Sequence, residues 1–198
     1  MSELSVGALS GLAANSYVID VASGSTLDVT NATGTLPSAQ LPAGSILQVL
    51  QATKTNAFSL GTEDTWTDIP DLSIDITPSS TSSKIYLIAE IGYVDGTVAM
   101  ALGFRFTRDG TAIGLGDQVG SNRQRVTFVR IVDTVTRGET ASGTFLDSPS
   151  TSSTITYKLQ LNKMDGGTAY INYAGSSDGD ANNRFRTLSS ITAIEVVG

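Results

Sequence analysis

The chain has no cysteine and no histidine among its 198 residues. Disulfide stapling is excluded, so stability must come from a packed core and from association. A Ser-His-Asp triad, a thiolate nucleophile and an ordinary His/Cys zinc site are excluded with it. Basic residues are scarce: 12 Lys and Arg stand against 19 Asp and Glu, for a net charge of −7. The nearest approach to a basic patch is Arg123, Arg125 and Arg130, read as lying on a strand. That is too thin a footprint to neutralise a run of phosphates, so no nucleic-acid partner is expected, and a solvated or interface face accounts for these arginines. No apolar run approaches the ~20 residues of a membrane-spanning helix. The opening MSELSVGALSGLAANS lacks the basic segment of an export signal, so synthesis and assembly in a host cytoplasm are expected.

Aromatic residues make up 7% and charged residues 16% of the chain, and Ser, Thr and Gly fill the space between aliphatic residues. The first Lys or Arg is Lys54. Before it, short apolar clusters such as Val18-Ile19 and Leu27-Val29 hold neither a helical nor a strand period. Pro37, Pro42 and Gly44 punctuate the end of this stretch. Residues 1–43 are therefore expected to be an extended arm. Alone it buries too little apolar surface to offset its ordering entropy, so it is expected to be ordered by other chains.

Residues 44–198 read as an all-β body. LSIDI at 72–76 alternates with Leu72, Ile74 and Ile76 inward, and KIYLIAEIGYV at 84–94 is apolar on both faces, the mark of a central strand. VAMALGFRF at 98–106 puts Val98, Met100, Leu102, Phe104 and Phe106 on one face. Further strands are expected at 125–134, 154–161, 168–174 and 190–197. Asp95-Gly96, Asp109-Gly110, Asp165-Gly166-Gly167 and Asp178-Gly179 read as turns, because Gly accepts the positive φ that tight turns require. Two Ser/Thr-rich corners, from Pro78 and from Pro149, each launch a strand. Many short strands without a helical window predict a jelly-roll-like antiparallel β-sandwich behind an extended N-terminal arm.

Candidate sites are few. Asp178, Asp180 and Asn182 have the alternating oxygen spacing of a calcium loop, but Asn183 and Ser189 stand where such a loop carries Gly and Glu. They are a weak metal candidate beside the plain reading of a polar loop, and no cofactor is expected. Trp66, Tyr170 and Tyr173 are candidate receptor or glycan contacts, with core or interface packing as the plainer alternative. A carboxylate-pair glycosidase needs two acids across a cleft, whereas most acids here sit in turns or at outward strand positions. No enzyme is expected.

GSILQVLQATKT (44–55), DITPSSTSSKIYLIAEI (75–91), FTRDGTAIGLG (106–116) and the terminal SSITAIEVVG (189–198) together resemble the C-terminal β-sandwich domains of fibre-type, receptor-binding structural proteins of marine and cyanobacterial tailed bacteriophages. The resemblance covers about residues 44–198. It implies a virion component, usually trimeric, with no catalytic residues. A short tail fibre that docks on other virion proteins through residues 1–43 and presents its body to a host-surface glycan is the leading expectation. A capsid decoration or head-fibre protein is the alternative, and a glycan depolymerase a distant third.

A homotrimer is also expected on physical grounds. The modest core and the scattered apolar clusters of the arm call for burial between subunits. The strand at 190–197 carries only Glu195 as a charge. A strand so apolar is expected to lie between neighbours inside each body, where it cannot template aggregation.

Overall fold

The computed structural model describes residues 41–133, 138–173 and 185–198. Among these residues there is no helix, and eleven strands form two antiparallel sheets. In chain order they are β1 (Ile46–Lys54), β2 (Phe58–Leu60), β3 (Thr67–Ile76), β4 (Lys84–Gly96), β5 (Met100–Arg108), β6 (Thr111–Ile113), β7 (Phe128–Val132), β8 (Glu139–Asp147), β9 (Ile155–Met164), β10 (Ala169–Ile171) and β11 (Ser189–Val196). The expected arm falls almost wholly outside the described residues.

The first sheet runs β1-β11-β4-β8. Ile85–Glu90 of β4 bond to β11 on one side and to β8 on the other. The short β10 extends this sheet by pairing with the end of β4 and with β2. The second sheet runs β3-β9-β5, and the outer side of β5 is shared by β7 and β6. The pairing is nested: β1 with β11, β3 with β9, β4 with β8, β5 with β7. A long antiparallel ribbon wound on itself in this way is a jelly roll. The Ser/Thr corners expected at Pro78 and Pro149 are two of its crossings, one leaving β3 for β4 and one leaving β8 for β9.

Alternation places the core. Leu72, Leu87, Phe104, Phe106, Leu159 and Ile191 are all fully buried between the sheets. The terminal strand β11 lies between β1 and β4, an inner position as expected. Its inward Glu195 is also fully buried. The Ser79 backbone N–H (2.6 Å) and hydroxyl (2.8 Å) donate to one carboxylate oxygen, and Gln48 Nε2 donates to the other (2.5 Å). Burial opposes ionisation of Glu195, but these bonds outweigh it and hold its carboxyl below the ordinary value.

Several expectations are corrected. Asp95-Gly96 is not a turn. Pairing with β10 prolongs β4 through both residues, and Asp95 Oδ1 accepts the Gly96 N–H at 2.8 Å. Val98 falls in the connection to β5 and is exposed rather than inward. Arg123 and Arg125 lie in the connection between β6 and β7, not on a strand. The strand expected at 168–174 ends at Ile171, where Asn172 turns left-handed with φ 66°. The tight turn at Asp109-Gly110 is present, with positive φ at both residues. Asp165-Gly166-Gly167 likewise connects β9 to β10. Asp178-Gly179 lies outside the described residues.

Candidate functional site

The outer face of the second sheet is built from residues that alternate with the core. On β5 these are Ala101, Gly103, Arg105 and Thr107; on β9 they are Lys158, Gln160 and Asn162. Trp66, just before β3, folds onto this face. The guanidinium carbon of Arg105 sits 4.0 Å from the centre of the Trp66 ring, and the indole N–H donates to Gln124 Oε1 at 3.3 Å. Arg105 is fixed in turn: its Nε donates to Gln160 Oε1 at 2.8 Å, and Gln160 Nε2 donates to Asp68 Oδ1 at 2.7 Å. Lys158 completes the row with a 2.8 Å bond to Asp68 Oδ2. The Lys158 ammonium beside Asp68 holds that carboxyl below its usual value, while burial lowers Arg105. Cation on aromatic face, with side-chain hydrogen bonds behind it, fixes the Trp66 ring in one orientation.

Beside Trp66 lies a cavity of about 230 Å³, walled by Gly103, Gln124, Val126, Asn162 and Met164 among others. Gly103 is needed there. A Cβ at this position would stand 2.7 Å from Val126 Cγ1 and 3.5 Å from the Trp66 ring. A wider hollow under Val119–Gln124 adjoins it, sharing Gln124 and Met164 as walls. Asn162 is 2% exposed, and neither its Nδ2 nor its Oδ1 has a partner among the described residues. Such a buried unpaired amide costs about 1–3 kcal/mol, so it calls for a reason.

Trp66 and the two tyrosines, grouped on sequence grounds, are not brought together. Tyr170 lies on β10 of the first sheet and packs edge-on against Tyr173, with ring centres 4.7 Å apart. Close by, Asn172 Nδ2 donates to Lys54 O (2.9 Å) and Asn56 O (3.2 Å), and its Oδ1 accepts from Ser189 Oγ (2.6 Å). That network is satisfied, and it braces the joint between β1 and β10. The calcium candidates Asp178, Asp180 and Asn182 lie outside the described residues. Two acids of the described part are held by side chains: Asp75 accepts from Thr156 Oγ1, and Asp147 from Arg108 and Tyr157.

Sequence reasoning missed a second surface, on the outer face of the first sheet. Val49 pairs with Ile194, Ile194 with Tyr86, and Tyr86 with Leu146. Four apolar side chains therefore stand abreast on β1, β11, β4 and β8, all pointing outward. Val49 is 55% and Leu146 48% exposed. Ile46, Ile88 and Val196 extend the band. An antiparallel sheet normally turns polar residues to water, so such a band marks a face to be covered. The signal was present: the two-faced apolarity of KIYLIAEIGYV reports core on one side and this band on the other.

No protein-family model matches the chain, and no curated protein matches it. Among solved structures, the chain is similar to one in the structure of infectious bursal disease virus, Gt strain, at 13% identity and a TM-score of 0.41, covering 87% of this chain and 50% of that one. It is also similar to one in the Gx strain of the same virus, at 16% identity and a TM-score of 0.37, covering 84% of this chain and 42% of that one. The chain thus spans about half the length, or less, of the solved chains it resembles.

Proposed function

We propose that the chain is a non-catalytic structural component of a tailed-phage virion. In this reading it is a short tail fibre or receptor-binding protein that works as a homotrimer. It docks on other virion proteins through residues 1–43 and turns its jelly roll toward the host. The observation that carries the reading is the apolar band Val49–Ile194–Tyr86–Leu146. It crosses the sheet from edge strand to edge strand, a broad surface that suits another protein better than a small ligand. Copies of this chain are the occupants that fit best. Ile46, which opens β1 and is 63% exposed, belongs to the band, so the chain passes from the arm directly into the face that requires covering. The resemblance to phage fibre domains supports the same reading, and the Trp66 face, on the opposite sheet, is then left to meet the host.

Immunogold labelling of particles with an antibody against the body tests this. The expected result is label confined to the tail end, with adsorption blocked by the same antibody. Dense label over the head establishes the decoration role instead, and absence of the chain from particles removes the virion reading. Release of sugars from host polysaccharide by the purified protein would overturn the non-catalytic assignment.

A further inference from the structure

We infer that the cavity beside Trp66 is a saccharide subsite that takes one pyranose ring. The inference deepens the host-facing reading above by naming what that face holds.

The ligand class follows from the walls. At about 230 Å³ the cavity is smaller than the ~300–1,000 Å³ of pockets that enclose drug-sized ligands, and it suits a single six-membered ring. One side is apolar: the Trp66 indole, Val126 and Met164. Gln124 and Asn162 are the two amide-bearing residues of this otherwise apolar lining. A pyranose has the matching duality, with C–H groups on its faces and hydroxyls around its edge. Each hydroxyl both donates and accepts, as a carboxamide does with its NH2 and carbonyl.

Asn162 makes the case specific. Its carboxamide is shut from water, with donor and acceptor both unpaired among the described residues. The exposed side chain of Gln124 is the movable part of the wall, tied to Trp66 by a single 3.3 Å bond. When Gln124 swings aside, a ring resting against Trp66 gains access to the amide and pairs with it. Trp66 itself stays in place, because Arg105 is anchored through Gln160 and Asp68. The adjoining hollow under Val119–Gln124 gives the next sugar of a chain a place to lie. Arg123 lines that hollow, and among the described residues no carboxylate lines either space, which admits acidic as well as neutral sugars.

Trp66 is the only tryptophan in the chain, so its fluorescence reports this cavity alone. The full-length protein is titrated, up to about 50 mM, with the methyl glycosides of glucose, galactose, mannose, N-acetylglucosamine and glucuronic acid, weak binding being normal for one ring. A saturable change with at least one of them is expected. N162L should weaken that response by at least about tenfold, because a hydroxyl is left facing an alkyl chain. Its melting temperature should be equal or higher, since an unpaired amide has gone. V126F, which fills the cavity from the loop, should abolish the response and covers the case of a poorly folded N162L. Ser59→Ala, at an exposed position on β2 of the other sheet, should leave it unchanged. No saturable response to any glycoside, or an undiminished one in folded N162L or V126F, overturns the subsite. A response to indole but to no glycoside identifies a plain apolar hole and overturns it too. Protein that labels the tail end and blocks adsorption but ignores every glycoside refutes the subsite and leaves the adhesion reading standing. Protein that binds a glycoside but is absent from particles does the reverse.

Discussion

Glu195 shows how single residues decide local stability here. Among the described residues its buried carboxylate has no cation beside it and relies on Ser79 and Gln48. Its folded value lies below the ordinary 4.5, so folding favours the ionised form. The resulting stabilisation is complete above pH 4.5 and is lost as pH falls through the folded value. Asp68 adds to the same trend from the surface. Acid denaturation of wild type should therefore steepen below about pH 4.5. Glu195→Gln should cost about 2 kcal/mol at pH 7 and flatten that acid limb, as followed by chemical denaturation across pH. An unchanged acid limb would remove Glu195 from this role. Tyr157 makes the complementary case. Its hydroxyl is buried and donates to Asp147 at 2.6 Å, and burial raises its pKa well beyond the usual range. Tyr157→Phe should cost about 1–2 kcal/mol, because Asp147 keeps its two bonds from Arg108. Neither role was legible in sequence. A lone Glu in an apolar strand and a Tyr in an alternating one do not announce who faces them.

At the scale of elements, strands with strong alternation were the most readable; β7 and β10 fall inside the longer strands expected at 125–134 and 168–174, and β8 was not read at all. β3, β4, β5, β9 and β11 carry apolar residues at alternate positions over most of their length and lie near where the pattern placed them. β8 escaped because its sequence, ETASGTFLD, offers only Phe145 as a large apolar side chain to the interior, beside Ala141, Gly143 and Asp147. The missing bulk is supplied from another strand. Phe128 of β7 lies over Gly143 and stacks on Phe104, with ring centres 4.9 Å apart. The ion pair between Arg130 and Glu139 joins the same two strands. A Cβ at Gly143 would run into the Phe128 ring, so Gly143→Val should cost about 1–3 kcal/mol and loosen this side of the sandwich. Thermal melts followed by circular dichroism measure it, and a melt equal to wild type would show that Phe128 moves aside freely. Truncation of residues 190–198 should abolish folding altogether, since β11 bonds to β1 along one side and to β4 along the other. Soluble, folded protein lacking that strand would contradict its inner position.

For the whole molecule, the all-β class was evident from period and turns, and the nested strand order gives it a definite topology. The candidate site was only partly legible. Trp66 was singled out, but Asn162, Gly103 and Gln124 come to it from β9, β5 and a loop, and no local pattern ties those positions together. The apolar band has the same origin: its residues are spread from Ile46 to Val196 and become neighbours only through pairing register. The proposed function gives these two faces different duties, one covered by other copies and one presented outward. The first of these is the central claim, and the mass of the purified full-length protein tests it most directly. Light scattering should give about three times the 20.6 kDa chain mass, and Tyr86→Glu, which places a charge on the band without touching the core, should return it to one. A wild-type protein that stays at 20.6 kDa at micromolar concentration, or a Tyr86→Glu variant that remains trimeric, would contradict the account.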